Sequence, residues 1–363
     1  MLTLTFLGTS AGIPTKHRNV TALAVSLINP YSKAKNVPWI LVDCGEATQH
    51  QLLKTPLSVM QLELICITHV HGDHCYGLPG LLASMAMSGR TIPLTLIAPM
   101  AIGKLLDALT ITTELYFSFE IEFIALETLK IESLRKESLT IQNAEVQFEP
   151  IILDIGDGEQ ITIEPIALSH RVPSHAFMIS QQLSYTALDK EKLLAMDLPP
   201  SKIWGSLQHG YDVTLDDGRM LKSTDFAYQQ IDTTRIIVAG DNDRPELLKE
   251  KLADVGVLVH EATYTQAIAD KVSQREDGFN PMHSSALQVA SVAESVKLPN
   301  LILTHFSGRF QAFDKPASST PNMGHIRVEV EQAYSGNCWL ANDFDRFEVE
   351  GMTVTPLEAL TKL

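Results

Sequence analysis

The sequence predicts an α/β protein, on three observations. Apolar runs of strand length recur along the chain, a segment of helical composition follows directly on one of them, and several runs end on a histidine or an aspartate. Alternating strands and helices build sheets with helices packed outside, and ligands in such folds gather beyond the carboxyl ends of strands. A chain of 363 residues, 45% hydrophobic and 20% charged, buries one large core or two closely joined halves.

LTLTFLG (2–8) alternates and then meets Gly8, a strand running into a glycine-rich turn. TALAVSLI (21–28) and PWILVDCGE (38–46) are rich in Val, Ile and Leu and read as strands. LELICIT (62–68) is a near-continuous apolar run, and LPGLLASMAMSG (78–89) has helical composition with Gly89 as its stop. Further strands are expected at 93–99, 146–153, 161–170, 235–242, 255–262 and 300–307. Residues 180–230 carry turn signals at Pro199-Pro200 and Asp217-Gly218 and little core pattern, and read as an inserted arm between halves 1–179 and 231–363. Residues 307–324 read as a long loop.

The formal net charge of −15 excludes sequence-independent nucleic-acid binding through overall charge, and no DNA partner is expected. A polyanionic substrate remains open, because bound divalent cations and one local basic patch reverse the field inside a cleft. Four scattered cysteines without a CxxC pair make no disulfide framework. Cys66 reads as a buried side chain and Cys75, beside His74, as a bystander. The start has no basic leader, and no apolar run reaches the roughly 18–20 residues needed to span a bilayer. The expectation is a cytoplasmic protein with no membrane partner.

The chemistry lies in THVHGDH (68–74), placed between a buried strand and a helix. Imidazole nitrogens and carboxylate oxygens suit Zn²⁺, with Mn²⁺ or Fe²⁺ also admissible. Four ligands from one loop would close a structural site unless they divide between two ions, His69 and His71 for one, Asp73 and His74 for the other. Each ion then needs ligands from distant strand ends, and His170, Asp241 and His305 arrive there. The strand-end position favours His170 over His175, which reads as structural. Asp241 can bridge two ions, as in hydrolytic two-metal sites that generate the attacking hydroxide. Asp43 is a candidate outer partner of a ligand histidine.

These residues resemble the signature of the metallo-β-lactamase superfamily, and the wider chain resembles the ribonuclease Z family of tRNA 3′-processing endonucleases. FLGTSAGIPTKHRN (6–19), VDCGEATQ (42–49), VHEATY (259–264), MHSSA (282–286), LTHFSGRF (303–310) and LANDF (340–344) carry the resemblance. It implies a metallo-β-lactamase αβ/βα sandwich, two mixed β-sheets flanked by helices. It implies two Zn²⁺ per subunit (Mn²⁺ or another divalent ion in their place), one on His69, His71 and His170, the other on Asp73, His74 and His305, with Asp241 bridging. Asp73 would take the proton of the attacking water, and His260, oriented by Glu261 or a neighbour, would protonate the leaving 3′ oxygen. Lys16, Arg18, Asn19 and Arg309 are implied as substrate contacts, and His283, Ser284 and Ser285 as contacts to the scissile phosphate or as braces of the pocket. The implied substrate is precursor tRNA, cut to leave a 3′ hydroxyl and a 5′ phosphate on the trailer. The implied assembly is a homodimer in which one arm serves the opposite site.

The sequence departs from the family in the arm. LPPSKIWG (198–205) has Ser201-Lys202 where the family carries a Gly-Pro pair, and acidic residues outnumber basic ones across 180–232. Two rival readings follow. One is a phosphodiesterase of the same fold acting on small or cyclic diesters. The other, of a different class, is a non-catalytic RNA-binding scaffold.

Overall fold

The computed structural model describes residues 1–131, 147–274 and 278–360. The alternating N-terminal segment forms β1 (Leu2–Gly8), followed by β2 (Ala22–Leu27), β3 (Trp39–Val42), β4 (Leu62–Cys66), β5 (Leu94–Ala98) and β6 (Ile121–Ala125). A second sheet takes β7 (Ile151–Gly156), β8 (Glu159–Leu168), β9 (Ser174–Leu188), β10 (Ala227–Ala239), β11 (Val257–Glu261), β12 (Asn300–Thr304) and β13 (Asn337–Leu340). The chain then returns to the first sheet with β14 (Arg346–Glu350) and β15 (Thr353–Leu357). The orders are β15-β14-β1-β2-β3-β4-β5-β6 and β7-β8-β9-β10-β11-β12-β13. Both sheets are mixed: β3 to β6 and β10 to β13 run parallel, the rest antiparallel.

The period-two pattern explains the layering, since successive side chains of a strand point to opposite faces. Leu4 and Phe6 of β1, Leu64 and Cys66 of β4, Ile236 and Val238 of β10 and Val257 and Val259 of β11 share one core between the sheets. The intervening Ile65 faces α1 (Leu78–Met87) and α2 (Met100–Thr113) outside the first sheet. Ile237 and Leu258 face the outer core of the second sheet, which takes in α4 (Ala286–Ser295) and α5 (Met323–Ala333), with α3 (Gln266–Ser273) beside them through Ile268. The result is the expected sandwich of two mixed sheets between helical layers. Of the strand expected over 146–153, Val146 lies outside the described residues and the rest divides into Gln147–Phe148 and β7.

The arm differs from the expectation at its ends and in its interior. Residues 180–188 and 227–230 continue β9 and β10, which stay in register from Ala176↔Ala239 to Leu188↔Ala227. Beyond the sandwich this ribbon has no second sheet to cover it, so its polar residues hide the strand signal that an apolar run would give. At its far end Leu188, Leu193, Leu207, Leu221 and Phe226 form a small core of their own. No helix among the described residues is long and apolar enough to cross a membrane.

Candidate metal centre

The carboxyl ends of β4, β8, β10 and β12 lie along one edge of the sandwich. Each is followed within a few residues by the side chains at issue: His69, His170, Asp241 and His305. Gly240 lets two of these turns close up, because a Cβ there would stand 2.6 Å from the Thr68 side chain and 2.9 Å from the His175 carbonyl oxygen. His305 adopts φ 55° and Asp43 φ 59°, left-handed conformations that an L-residue holds only where its surroundings over-determine it.

Two donor sets result. In the first, His71 Nδ1 lies 3.1 Å from His69 Nε2 and 3.2 Å from His170 Nε2, and Asp241 Oδ2 lies 3.6 Å from each of those two nitrogens. In the second, His74 Nε2 lies 3.2 Å from His305 Nε2, 3.5 Å from Asp73 Oδ2 and 3.4 Å from Asp241 Oδ1. His305 Nε2 is 3.3 Å from both of those carboxylate oxygens. Donors held about 2.0–2.1 Å from a common tetrahedral centre stand roughly 3.3 Å apart. Asp241 gives one oxygen to each set.

The hydrogen bonds on the far side of the rings decide which ring nitrogens face inward. The Thr68 hydroxyl donates to Asp43 Oδ2 at 2.9 Å, so at 3.0 Å it accepts from His69 Nδ1. Asp43 Oδ2 also accepts from His74 Nδ1 at 2.7 Å, and the Met282 carbonyl accepts from His170 Nδ1 at 2.8 Å. The Thr263 hydroxyl donates to Glu261 Oε2 and accepts from His305 Nδ1. With protons on these outer nitrogens, the Nε2 lone pairs of four histidines converge with no donor between them. Asp241 Oδ1 is buried without a hydrogen-bond partner. Burial alone would push the Asp241 carboxyl pKa up, yet His305, His74, His283 and His69 hold it well below its ordinary value. Burial likewise opposes a charge on His74, and the carboxylates of Asp241, Asp43 and Asp73 still raise its pKa well above the usual range. Both shifts describe a cluster drawing in positive charge, and its donor set fits divalent cations. Asp43→Asn, which keeps the left-handed backbone but loses the carboxylate behind His74, is expected to weaken divalent-ion binding about 10–100-fold. Titrating chelated protein with zinc checks it.

The other predicted residues divide. His283 faces the cluster: its Nδ1 lies 3.1 Å from Glu261 Oε1 and 3.7 Å from Asp241 Oδ2. Burial would lower its pKa, but Glu261 and Asp241 lift it to about 9. His260, the expected proton donor, belongs to neither donor set. It is fully buried, Nδ1 donates to the Glu261 carbonyl at 2.8 Å, and Nε2 accepts from Asn242 at 3.0 Å. Alternation on β11 turns it with Leu258 to the outer, helix-covered face, and the Glu261 carboxylate turns to His283 and Thr263. Spacing gave no sign of this, though a strand residue following Val257 and Val259 by alternation points away from the inter-sheet core.

Ser284 and Ser285 are also fully buried, donating to the Asn242 carbonyl and to Gln266 Oε1, and so brace the loop that carries His283. Arg18 is buried too, Nη1 donating to the Phe310 carbonyl at 3.0 Å, and Asn19 binds Asp343 Oδ2 through its backbone and the Glu46 carbonyl through its side chain. Both tie the opening loop down, while Arg18 Nε and Nη2 are buried with no hydrogen-bond partner. Lys16 and Arg309 remain exposed, Arg309 with its guanidinium over the Tyr264 ring. Gly12, unforeseen, donates its N–H to Asp73 Oδ2 at 2.7 Å. His175 donates to the Thr68 carbonyl, and Cys75 lies against the Val70 carbonyl, both outside the donor sets as expected.

Comparison with known proteins places this architecture. Residues 2–193 match the family model described as Anti-Pycsar protein Apyc1. Ribonuclease Z of Marinobacter nauticus is 45% identical over 346 residues, covering 95% of this chain and 96% of its own. The chain belongs to the ribonuclease Z family. Over residues 2–193 it also belongs to the family drawn by the Apyc1 model, a range that holds His69 to His170 but neither Asp241 nor His305. Among solved structures, the short form of human tRNase Z superimposes with a TM-score of 0.56 at 21% identity, covering 96% of this chain and 99% of its own. A metallo-β-lactamase fold protein from Bacillus subtilis superimposes with a TM-score of 0.56 at 16% identity, covering 94% of this chain and 97% of its own. The fold of this ribonuclease Z family member is thus the metallo-β-lactamase fold.

Proposed function

We propose that the chain is a metal-dependent endoribonuclease that removes the 3′ trailer of precursor tRNA, working in the cytoplasm as a homodimer with two zinc ions per subunit. The observation that carries the reading is the pair of four-donor sets sharing Asp241, in a chain related over nearly its full length to ribonuclease Z. His69, His71, His170 and Asp241 would hold one ion, and Asp73, His74, His305 and Asp241 the other. Ions bound there supply Lewis-acid polarisation of the scissile phosphate and activation of the attacking water.

The chain's own groups do the rest. Asp73, kept ionised by His74 and His305 against the opposing effect of burial, takes the proton from the attacking water at a carboxylate oxygen. Water oxygen bonds to phosphorus as the bond to the 3′ oxygen breaks. His283, whose Nδ1 is held by Glu261, delivers its Nε2 proton to that leaving oxygen, giving a 3′ hydroxyl on the tRNA and a 5′ phosphate on the trailer. Lys16 and Arg309, both exposed, contact the substrate backbone. The arm grows from the ends of β9 and β10 opposite Asp241, which supports its serving the site of a second copy.

The test is cleavage of a 3′-extended precursor tRNA beside bis(p-nitrophenyl) phosphate, with zinc or manganese restored after chelation. The expected outcome is one cut at the trailer junction, lost with small-diester turnover in Asp73→Ala. An untouched precursor with the small diester turned over would leave a small-diester phosphodiesterase. Metal-dependent RNA binding with neither substrate cleaved would leave a scaffold.

A further inference from the structure

Two exposed arginines of this acidic protein are neutralised by a neighbouring carboxylate. Arg219 pairs with Asp217 at 2.7 Å and Arg244 with Glu246 at 3.0 Å. Arg171, like Arg309, has no such partner and instead lies over an aromatic ring, at the shorter distance of the two. It is exposed, it makes no ion pair among the described residues, and its guanidinium lies 4.4 Å from the centroid of the Phe279 ring. Its place in the chain adds to this, since it follows the ligand His170 directly. Phe279 lies four residues before His283, and the two loops are joined where His170 donates to the Met282 carbonyl at 2.8 Å. A cation with no ion pair among the described residues therefore lies over a ring beside the loops that carry His170 and His283.

The geometry points to Arg171 as a binding residue for a backbone phosphate flanking the scissile one, with Phe279 as the positioning residue beneath its guanidinium. A guanidinium stacked on a ring keeps its in-plane N–H groups for phosphate oxygens, the bidentate geometry that lysine lacks. A polynucleotide carries such a neighbouring phosphate, and a small diester does not. Arg171 thus selects the substrate class at this centre: chains of nucleotides over single diesters. The inference rests on the phosphodiesterase reading above but not on the identity of the RNA.

The experiment uses the metal-loaded enzyme and the variants Arg171→Ala, Arg171→Lys, Phe279→Ala and Phe279→Tyr. For Arg171→Ala the KM for precursor tRNA is expected to rise about 10–100-fold at low salt with kcat held. The slope of log(1/KM) against log salt should fall by about 0.7–0.9, one phosphate contact. Bis(p-nitrophenyl) phosphate turnover should stay at the wild-type level. Arg171→Lys recovers the salt slope but only part of the KM, and Phe279→Tyr restores what Phe279→Ala loses. Equal losses on both substrates, or a precursor KM unmoved by Arg171→Ala, would overturn the assignment. Should the wild-type enzyme turn over the small diester alone, the tRNA reading fails separately. Arg171 is then judged by inhibition of that turnover with a single-stranded RNA oligonucleotide. Arg171→Ala should need at least about ten times more RNA, and equal inhibition would overturn the proposal.

Discussion

Asp241→Asn is expected to bring bound zinc from the proposed two ions per chain to below one and to abolish turnover of precursor tRNA and of bis(p-nitrophenyl) phosphate alike. Each oxygen of this carboxylate belongs to a different donor set, Oδ2 with His69 and His170, Oδ1 with His74 and His305. An amide keeps the shape but carries no charge and offers a single carbonyl oxygen, so one set loses a donor and both lose the anion. The rate loss should exceed the roughly 10–100-fold that follows when an outer partner of a ligand is removed. Metal analysis after gel filtration, with both substrates assayed, measures it. Two retained ions with near wild-type turnover would refute the shared carboxylate.

His283→Ala should produce a divided result. On precursor tRNA, where the leaving group is a strongly basic alkoxide, kcat should fall by about 10²–10⁴-fold, the range for loss of a general acid. On bis(p-nitrophenyl) phosphate, whose leaving phenolate is a stable anion, the loss should be small, and bound metal should be unchanged. His260→Ala is expected to behave otherwise. His260 is sealed behind Asn242 and the Glu261 carbonyl, so its loss should lower the thermal midpoint and reduce both activities together. If instead His260→Ala gave the divided result and His283→Ala did not, the original assignment of the acid would stand.

Much of the centre was legible because its signals are local. Four donors occupy six consecutive positions, and three more close apolar runs whose length alone marks them as strands. The sandwich followed from the same runs. What sequence did not reveal is direction. His260 and His283 both sit in recognisable motifs, but only packing decides which of two neighbouring imidazoles reaches the cleft and which is walled in by the second sheet's outer core. The same holds for Arg18 and for Ser284 and Ser285, polar residues in a promising context that the fold uses as internal ties. The stalk strands were missed because they leave the sandwich, where no buried face imposes an apolar alternation.

The register of that stalk governs where this protein tolerates change. Inserting a single residue into β9 or β10 would turn every later side chain to the opposite face and carry the error to the turn that presents Asp241. Insertions or deletions in the loops between residues 189 and 226 leave that register alone, so long as Leu193, Leu207, Leu221 and Phe226 still pack on Leu188. The acidic tip can therefore drift in composition and length while the catalytic edge is inherited intact.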